Sequence, residues 1–365
     1  MIACQRLGLA KKPAELLYDS LVDLKHQVKT IYGLSAEYGS TSDHPLYGTG
    51  QGSGGSPTFW AVIADILFNS IDSKGAQLVF TDPRRERTSA RSEDGYVDDT
   101  ALGVDGRDEQ VIARLTTAAQ RHERILYATG GKLALHKCTW VLMSWIWREG
   151  EAFLQIHPED EDGRCTAASP GQLTLEQSEN GQTVRIPRLN PTCGYRTLGV
   201  WIAADGNQVA QFNKLQASVA RWLEHVASSS LSKQDRYLAY TSFLRPQLLY
   251  PLGCCTIEYK KLKKLFWSVL DQIMHSLGLN KNFPLALVHA GPDWLGLGVD
   301  DLPTMQGVAQ LQLLLGHVNK QDRTGELIHI ERDHLEVIIG VGKCPLKDPH
   351  ITQMDHAPRT WITSI

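Results

Sequence analysis

The pattern of apolar and polar positions changes character near residue 200. Before that point, stretches with helical periodicity alternate with short apolar runs of strand length, and this mixture predicts an α+β fold. The predicted helices lie at about 12–31, 57–71 and 108–129, and the predicted strands lie at about 76–81, 94–98, 100–105, 133–136 and 139–147. Residues 150–192 carry only a weak two-residue period, which is typical of an irregular excursion or a hairpin.

Two of these helices have recognisable faces or ends. The segment 57–71 is apolar almost all round, so it is predicted to be a buried helix that begins near Ser56. The segment 108–129 has Asp108 as a candidate N-cap and the glycine pair from Gly130 as its stop. Its predicted inner face consists of Val111, Leu115, Ala118, His122 and Ile125.

After Gly199 the pattern becomes helical. A first helix has one apolar face, a second covers residues 233–250 with a kink at Pro246, and a third follows. The first face consists of Val209, Phe212, Leu215, Val219, Trp222 and Val226, and that of the third helix consists of Leu262, Leu265, Val269, Ile273 and Leu277. The tail from about residue 320 is polar and its pattern is ambiguous.

Composition fits an intracellular globular protein. Apolar residues make up 42% of the chain, and together with nine tryptophans they argue against disorder. No signal peptide or membrane span is visible, because the longest apolar stretch, residues 59–68, is interrupted by Asp65. The seven cysteines form no CxxC pair, and Cys344, His350 and His356 have the wrong spacing for common structural zinc sites. We therefore expect a nuclear or cytoplasmic location, reduced thiols and no membrane partner.

Charge is distributed unevenly along the chain. The formal net charge of −3 counts mildly against general binding of nucleic acid. Between Gln211 and Lys281, however, there are ten Lys and Arg residues and only four Asp and Glu residues. This stretch is basic enough to contact a phosphate backbone, whereas a solvated helix face is the alternative interpretation of Lys260–Lys264.

The most informative chemical feature is a pair of adjacent carboxylates, Asp98 and Asp99, between two β-prone segments. This pattern predicts a tight hairpin with both acids at its tip. Neighbouring carboxylates repel each other, and a divalent cation removes that cost because Mg²⁺ prefers carboxylate oxygens. The hairpin is therefore a candidate metal site, and a solvated acidic turn is the alternative interpretation.

A glycine-rich loop precedes the apolar helix at 57–71. It extends from Gly48 to Pro57, where Ser56 suits the N-cap and Pro57 suits the first helical turn. Glycine lets the backbone approach a ligand closely, so the loop can lie against a nucleotide or a nucleic-acid strand. It lacks the lysine of a phosphate-binding P-loop, which excludes that motif.

Together these segments resemble a reverse transcriptase of the non-LTR (LINE-type) retroelements. The loop Gln51–Pro57 resembles motif B of that family, and the hairpin Tyr96–Thr100 resembles its Tyr-x-Asp-Asp motif C. Further matches follow in the expected order: Gly130–Cys138 resembles motif D, Tyr195–Val200 resembles motif E, and Gly291–Gly298 resembles a glycine signature found after the thumb. The resemblance covers about residues 1–300.

The resemblance implies a polymerase palm, with an antiparallel sheet and helices on one face, followed by a mostly helical thumb. The corresponding domains are a partial palm at 1–205, a thumb at 206–280 and a helical extension or connector at 281–365. The implied activity is that of an RNA-directed DNA polymerase. Its partners would be an RNA template, a DNA primer and deoxynucleoside triphosphates, and its cofactors would be two Mg²⁺ ions, or Mn²⁺.

The resemblance also implies roles for individual residues. Asp98 would be the main metal ligand, and Asp99 would be a weaker ligand or an electrostatic support. Lys137 would act on the triphosphate as a general acid or charge stabiliser, and is otherwise an exposed lysine at a strand end. The residues implied to contact nucleic acid or nucleotide are Gln51, Gly52, Ser56, Pro57, Tyr96, Tyr195, Leu198 and Gly199. Of these, Leu198 is an equally good candidate for the core.

The sequence departs from the family pattern at its N-terminus. Motif A, an apolar strand with the first catalytic Asp, should precede the helix that contains Ala14–Val22, and no segment there fits. Asp19 and Asp23 are poor substitutes because they lie on an amphipathic helix. We therefore expect the C-terminal portion of a longer reading frame, with little or no polymerase activity alone. The alternatives are a non-catalytic nucleic-acid-binding scaffold and a metal-dependent phosphohydrolase that uses Asp98 and Asp99.

Overall fold

The computed structural model describes most of the chain. The described residues are 5, 8–22, 25–39, 56–72, 77–97, 99–160, 164–166, 171–320, 322–342, 357–358 and 360–364, without the side chains of 17, 20–22, 56, 59, 108 and 109. The chain divides into two compact units whose ranges alternate along the sequence. Unit 1 comprises residues 1–79, 90–140 and 158–189, and unit 2 comprises residues 80–89, 141–157 and 190–365.

Short strands and a few longer helices make up the first part of the chain. In order they are α1 (Lys11–Val22), β1 (Lys25–His26), β2 (Lys29–Thr30), β3 (Gly33–Leu34), β4 (Tyr38–Gly39), α2 (Ser56–Asp72), β5 (Leu78–Thr81), β6 (Thr88–Arg91), β7 (Glu93–Tyr96), β8 (Asp99–Leu102) and α3 (Asp108–Ala128). The strands that follow are β9 (Trp140–Val141), β10 (Trp145–Arg148), β11 (Glu151–Leu154), β12 (Thr174–Glu176), β13 (Thr183–Arg185), β14 (Arg188–Leu189), β15 (Tyr195–Thr197) and β16 (Val200–Ile202).

The remainder of the described chain is helical. Its helices are α4 (Val209–Ser228), α5 (Lys233–Ala239), α6 (Arg245–Leu249), α7 (Tyr259–Ser276), α8 (Leu285–His289), α9 (Leu302–Lys320) and α10 (Arg323–Ile338). None of the helices in the described ranges is both long and apolar enough to cross a membrane.

The described strands associate in pairs. The pairs are β1–β4, β2–β3, β5–β6, β7–β8, β9–β14, β10–β11, β12–β13 and β15–β16. The described chain thus combines helices with small antiparallel sheets, a mixed α+β arrangement, whereas the palm and thumb architecture stays a prediction.

Helix α3 ends where its glycines predict. Gly130 has a left-handed conformation with φ of 89°. Its N–H donates to Tyr127 O at 3.0 Å, and the N–H of Gly131 donates to Leu126 O at 2.9 Å. These bonds form a Schellman motif, which satisfies carbonyls that the helix end leaves open. At the other end Arg107 occupies the N-cap position and α3 begins at Asp108, so the predicted Asp108 cap is wrong by one residue.

Helix α2 packs through one side. Leu67 and Ile71 are each 1% exposed, and Ile71 forms an apolar cluster with Ala118 of α3, against which Leu102 packs. Ile66, by contrast, is 39% exposed. The expectation of burial all round is therefore wrong for the described side chains, because α2 meets α3 and β7 on the side of Leu67 and Ile71.

Unit 2 contains a continuous apolar cluster built mainly by helices. Its most central members include Leu215, Tyr240, Leu248, Leu252, Leu262, Val269, Ile273, Met274 and Val288. The predicted inner faces of α4 and α7 are confirmed apart from Val209 and Leu277, which are 63% and 38% exposed. Both exceptions lie at helix ends, where the chain leaves the cluster.

The segment predicted as one kinked helix consists of three pieces. Helix α5 gives way to a π-helical turn at Tyr240–Leu244, and α6 begins at Arg245. Pro246 follows the π turn, and its missing N–H and bulky ring disfavour continuous α-helical bonding there. The predicted disturbance at Pro246 is confirmed, and a π turn accompanies it.

Several other predicted elements differ from the structure. The first helix ends at Val22 instead of reaching residue 31, because the β-branched residues beyond it favour the strands β1–β4 and Gly33 disfavours a helix. Residues 135–137 form a 3₁₀ turn rather than a strand. The predicted strand 139–147 is divided between β9 and β10, and β11 to β14 occupy the described part of 150–192. Short apolar runs of this length do not distinguish such alternatives.

Candidate functional site

The hairpin β7–β8 holds the acidic tip in unit 1. Its strands are antiparallel with Tyr96 opposite Asp99, so Val97 and Asp98 form a two-residue connection. Asp98 lies outside the described residues. Val97 has φ of 57°, a left-handed conformation that is costly for a β-branched residue. Such strain persists only where the surrounding structure enforces it, and it occurs often at functional sites.

The two faces of this hairpin have different surroundings. Successive residues of a strand alternate between faces, so Tyr96 and Asp99 share one face with Asp94. On that face Tyr96 is 63% exposed, the Asp94 side chain is 67% exposed, and Asp99 is exposed as well. Glu93 and Gly95 belong to the opposite face. The acidic face is therefore accessible to a metal ion or a nucleotide in the part of the chain that the structure describes.

Gly95 allows the hairpin to lie directly against α2, because a Cβ atom at this position would overlap the ring of Phe68. Helix α2 follows the glycine-rich loop, whose residues Gln51 and Gly52 lie outside the described chain. It begins at Ser56, whose side chain is also outside, and Pro57 is exposed in its first turn. The contact brings the helix of the loop motif against the strand of the acidic motif.

A buried imidazole–carboxylate pair anchors the base of the hairpin. His122 Nδ1 of α3 lies 2.8 Å from Glu93 Oε1, and the two side chains are 6% and 0% exposed. Withdrawing such groups from water is costly, so each is tolerated only beside its partner. Sequence reasoning placed His122 on the inner face of α3 but missed Glu93. The two-residue period of β7 puts Glu93 on the same face as Gly95, and this pattern could have identified Glu93 as an inward-facing residue.

Two further carboxylates, Asp72 and Asp105, accept hydrogen bonds near the base of the strands. Ser92, the residue before β7, donates a hydrogen bond to the carboxylate of Asp72 at the end of α2. Asp105, beyond β8, accepts from Val79 N at 3.2 Å and from Arg114 Nη1 at 3.0 Å. The base of the hairpin is therefore joined to α2, β5 and α3, while its tip is exposed.

Lys137, the predicted contact to the triphosphate, lies at the end of the 3₁₀ turn Leu135–Lys137 in unit 1 and is exposed. Its N–H donates to Ala134 O at 2.8 Å, which closes the turn. An exposed ammonium suits contact with a triphosphate and equally suits an ordinary surface lysine, so both interpretations remain open.

The predicted primer-supporting segment forms a tight hairpin in unit 2. Thr197 of β15 lies opposite Val200 of β16, and the connecting Leu198 and Gly199 have φ of 51° and 85°. Two successive positive φ angles are typical of a type I′ turn. Leu198 is 42% exposed, so the alternative that it belongs to the core is wrong. Tyr195, at the start of β15, is half-buried.

Tyr250 supports this turn, and sequence reasoning missed it. Its hydroxyl donates to Leu198 O at 2.7 Å. A Cβ atom on Gly199 would lie in van der Waals contact with the Tyr250 ring, at 3.5 Å. The bond joins positions that are 52 residues apart, so no local pattern could have indicated it.

Three lysines of the basic stretch lie on one exposed face of α7. The exposed residues at helical spacing on this face are Tyr259, Lys260, Lys263, Lys264 and Trp267. Lys263 Nζ lies 5.0 Å from the centre of the Tyr259 ring, and hydrogen bonding with Tyr259 raises the pKa of Lys263. Lys261 is paired with Glu258 at 3.5 Å. Cations interleaved with exposed aromatic rings suit contacts to phosphates and bases.

The glycine signature after α8 forms a compact turn with an apolar tip. Gly296 approaches Ala290 so closely that a Cβ atom would overlap the Ala290 carbonyl. Leu295 has φ of 58°. Trp294 and Leu295 are 81% and 93% exposed, so this turn presents apolar surface to solvent.

A buried carboxylate, Asp300, anchors the chain just beyond this turn. Arg245 donates to both of its oxygens, from Nε at 2.6 Å and from Nη2 at 3.0 Å, and the Tyr240 hydroxyl donates at 3.2 Å. Burial, and then the charge of Asp300, raise the pKa of Tyr240. Tyr240, in the π turn, and Arg245, directly after it, thus donate to the same carboxylate. Sequence reasoning missed this cluster. π turns often occur at functional positions.

The metal-binding prediction stays a prediction. Asp99 offers a hard carboxylate oxygen at the tip, which suits Mg²⁺, but alone it is an incomplete ligand set. In the described ranges no group of three or more His, Cys, Asp or Glu residues is placed to hold a metal ion. The cysteine and histidines rejected as a zinc site, Cys344, His350 and His356, lie outside those ranges.

Comparison with known proteins relates the chain to transposable elements. No family model matches it. Part of the chain is similar to a polyprotein of a retrotransposable element. That relative is the retrovirus-related Pol polyprotein from type-2 retrotransposable element R2DM of Drosophila melanogaster, with 26% identity over 151 residues. The match covers 41% of this chain and 13% of the polyprotein, so it supports a retroelement-related origin through a distant, partial relationship.

Proposed function

We propose that this chain is part of a reverse transcriptase of the non-LTR retroelement type, an RNA-directed DNA polymerase. The observation that carries the proposal is the close approach of Gly95 to Phe68, which sets the acidic hairpin against the helix after the glycine-rich loop. The similarity to a retrotransposon Pol polyprotein points in the same direction. In this proposal residues 1–205 form a partial palm, 206–280 the thumb and 281–365 a C-terminal extension.

The proposed chemistry is template-directed nucleotidyl transfer at the tip of β7–β8. Asp98 and Asp99 would hold Mg²⁺ or Mn²⁺ through their carboxylate oxygens. When bound, the ions would lower the pKa of the primer hydroxyl and stabilise the leaving pyrophosphate. Tyr96, on the open face beside Asp99, would lie beneath the primer end, and Lys137 would neutralise charge on the triphosphate.

Other residues would hold the nucleic acid and the nucleotide. Those proposed to approach the template or the incoming nucleotide are Gln51, Gly52, Ser56 and Pro57. Tyr195, Leu198 and Gly199 would support the primer. An exposed turn supported by Tyr250 suits this role, because it presents backbone and an apolar side chain in a fixed geometry.

The chain by itself is proposed to have little or no polymerase activity, because the segment before α1 does not resemble the motif that carries the first catalytic Asp. Loss of a ligand shared by two metal ions would cost on the order of 4 kcal/mol of transition-state stabilisation, which is about a thousandfold in rate.

A non-catalytic nucleic-acid-binding scaffold is the second candidate function. The exposed face of α7 favours it, because Lys260, Lys263 and Lys264 lie between the exposed rings of Tyr259 and Trp267. Such a surface would bind an RNA–DNA hybrid whether or not the acidic tip supports chemistry.

Primer extension on an RNA template, with Mg²⁺ or Mn²⁺, tests the catalytic proposal. We expect little or no extension from the chain alone, and any extension should be lost in Asp98→Ala and in Asp99→Ala. Glu151→Ala, which removes an exposed carboxylate at another hairpin, is the matched control and should leave extension unchanged. Extension that persists in Asp98→Ala would contradict the proposal.

Binding of a labelled RNA–DNA hybrid over a range of salt concentrations tests the second candidate. Lys263→Glu with Lys264→Glu should weaken binding and lower the salt slope by about two. Lys281→Glu, an exposed lysine outside α7, should change it little. Equal binding by all variants would contradict a role for the exposed face of α7. In a separate assay, hydrolysis of a generic phosphoester would favour the phosphohydrolase alternative.

A further inference from the structure

The connection between β5 and β6 is a fixed, arginine-rich turn. We call residues 80–89 the arginine hairpin. The buried carboxylate of Asp82 accepts hydrogen bonds from the N–H groups of Glu86 and Arg87, both at 2.9 Å. The backbones of Asp82 and Arg87 are also joined, at 3.1 Å. Arg85 is exposed and has φ of 60°. The arginines are therefore presented from a well-defined turn.

Two ion pairs attach the arginine hairpin to α10 within unit 2. Arg87 Nη1 lies 3.6 Å from Asp333 Oδ2, and Arg84 Nη2 lies 4.0 Å from Glu336 Oε2. The carboxylate side chains are only 18% and 12% exposed, and Arg332 contacts both of them. Carboxylates withdrawn from water need nearby cations, so these pairs should matter more than solvated surface pairs.

Two hydrogen bonds extend the contact to both strands of the arginine hairpin. The carbonyl of Thr81 in β5 lies 2.9 Å from His334 Nε2. On the other strand, Ser89 Oγ in β6 donates to Glu326 Oε2 at 3.0 Å. Because the contacts lie on both sides of the turn, α10 restrains the position of the strands as well as the arginine side chains.

Strand β6 leads almost directly into the acidic hairpin. Ser92 alone separates β6 from β7, and its carbonyl accepts from Gly103 N at 2.8 Å. Arg91 Nη1 in β6 lies 2.9 Å from Asp94 in β7. Residues 80–89 belong to unit 2, and residues 90–140 belong to unit 1. A restraint on β6 can therefore act on β7 through the chain itself.

We propose that α10 is a positioning element for the acidic hairpin and acts through the arginine hairpin. While the arginine hairpin is bound to α10, the first residues of β6 are restrained, and the amides of β7 and β8, which follow β6 in the chain, are protected. When the ion pairs are removed, β6 loosens and β7–β8 loosens with it. The inference rests on the proposed function only in taking β7–β8 as the catalytic hairpin.

Hydrogen–deuterium exchange of the full chain measures this restraint. Asp333→Ala and Arg87→Ala should each raise exchange in residues 81–91 by about fivefold and in residues 93–102 by at least about twofold. Arg85→Ala is the matched control, because it removes an exposed arginine of the same turn that has no ion pair among the described residues. Its exchange should equal that of the wild type.

A charge exchange separates pairing from general damage to the fold. Arg87→Asp combined with Asp333→Arg should restore protection in both segments relative to either single substitution. If residues 93–102 keep wild-type exchange in every variant, the proposal is overturned, even if residues 81–91 loosen. None of these readouts requires polymerase activity, so failure to bind an RNA–DNA hybrid would count against the proposed function and leave this result interpretable.

Discussion

The acidic hairpin β7–β8 and the helical region after Gly199 are stabilised in different ways. In the helical region an apolar cluster extends from Val200 to Leu302 and is held by packing of buried side chains. At the base of the acidic hairpin, polar pairs provide anchors, the most buried being Glu93 with His122. Apolar packing is distributed over many atoms, whereas a polar anchor depends on one partner.

This difference predicts different responses to substitution. In the helical cluster, neighbouring side chains share the loss of any one residue, so stability should fall in graded steps. At the hairpin, removal of one partner leaves the other buried alone, so the effect should be large for a small chemical change. Placing a candidate site on polar anchors fixes its geometry and also makes it sensitive to single substitutions.

The largest expected effect is at the Glu93–His122 pair. Glu93→Ala should lower the free energy of unfolding by about 3–5 kcal/mol, because it leaves the buried His122 ring without the carboxylate beside it. Urea denaturation measures the change. As the control, Glu93→Leu combined with His122→Leu should recover most of the loss, because an apolar pair leaves no buried polar group without its partner. A loss below about 1 kcal/mol for Glu93→Ala would show that the pair is not an anchor.

The next effect concerns the helical cluster. Leu262 is fully buried, and Leu262→Ala should lower the free energy of unfolding by about 2–5 kcal/mol through lost transfer energy and the cavity left behind. Tryptophan fluorescence in urea reports the change. Leu295→Ala, at a position 93% exposed, should stay within about 0.5 kcal/mol of the wild type. Similar losses in both variants would contradict the assignment of the cluster as the core.

A smaller effect is expected at the contact between β7 and α2. Gly95→Ala should cost about 1–3 kcal/mol of stability, because the new methyl group overlaps the Phe68 ring. Phe68→Leu in the same chain should recover part of this loss by opening space. Thermal unfolding of the two single variants and the double variant measures the coupling. Purely additive effects would show that the two residues do not meet.

The smallest expected effect is a pH dependence near α10. Burial, and then Arg332 and Arg87, lower the pKa of His329 from its usual 6.5, while Asp333 acts in the opposite direction. As the pH falls, the unfolded chain therefore takes up this proton before the folded chain does. The contribution of this group is fully present above pH 6.5 and is lost as the pH falls through the lowered pKa.

Replacement of this histidine tests the pH dependence. Between about pH 7 and about pH 5, His329→Gln should lose less thermal stability than the wild type, since it cannot take up the proton. Equal losses in the two proteins would show that His329 does not contribute.

Local periodicity predicts α2 and α3 well and the short elements poorly, and it leaves α10 ambiguous. The bounds of α2 and α3 agree with prediction to within one residue because sustained apolar faces and end signals such as Gly130 define them. Residues 25–39 and 135–137 are too short for a period to distinguish helix, turn and strand. Periodicity also overestimates the apolar cluster of unit 2. Val209 and Leu277 fit the helical pattern, yet they lie outside that cluster.

The candidate site shows a similar division. The residues of the tip can be proposed from sequence because they lie together in short motifs. Their supports cannot, because the supporting contacts join distant positions: Tyr250 meets Leu198 across 52 residues, and Tyr240 meets Asp300 across 60. Only the folded chain brings such pairs together.

The central claim is that Asp98 and Asp99 hold a divalent cation beside α2. Paramagnetic broadening of backbone NMR signals by Mn²⁺, with an RNA–DNA hybrid and a deoxynucleoside triphosphate present, reports which amides lie near the bound ion. The account predicts broadening centred on Tyr96 and Asp99 that disappears when Asp98→Asn and Asp99→Asn are combined. Broadening centred elsewhere, or unchanged in that double variant, would contradict it.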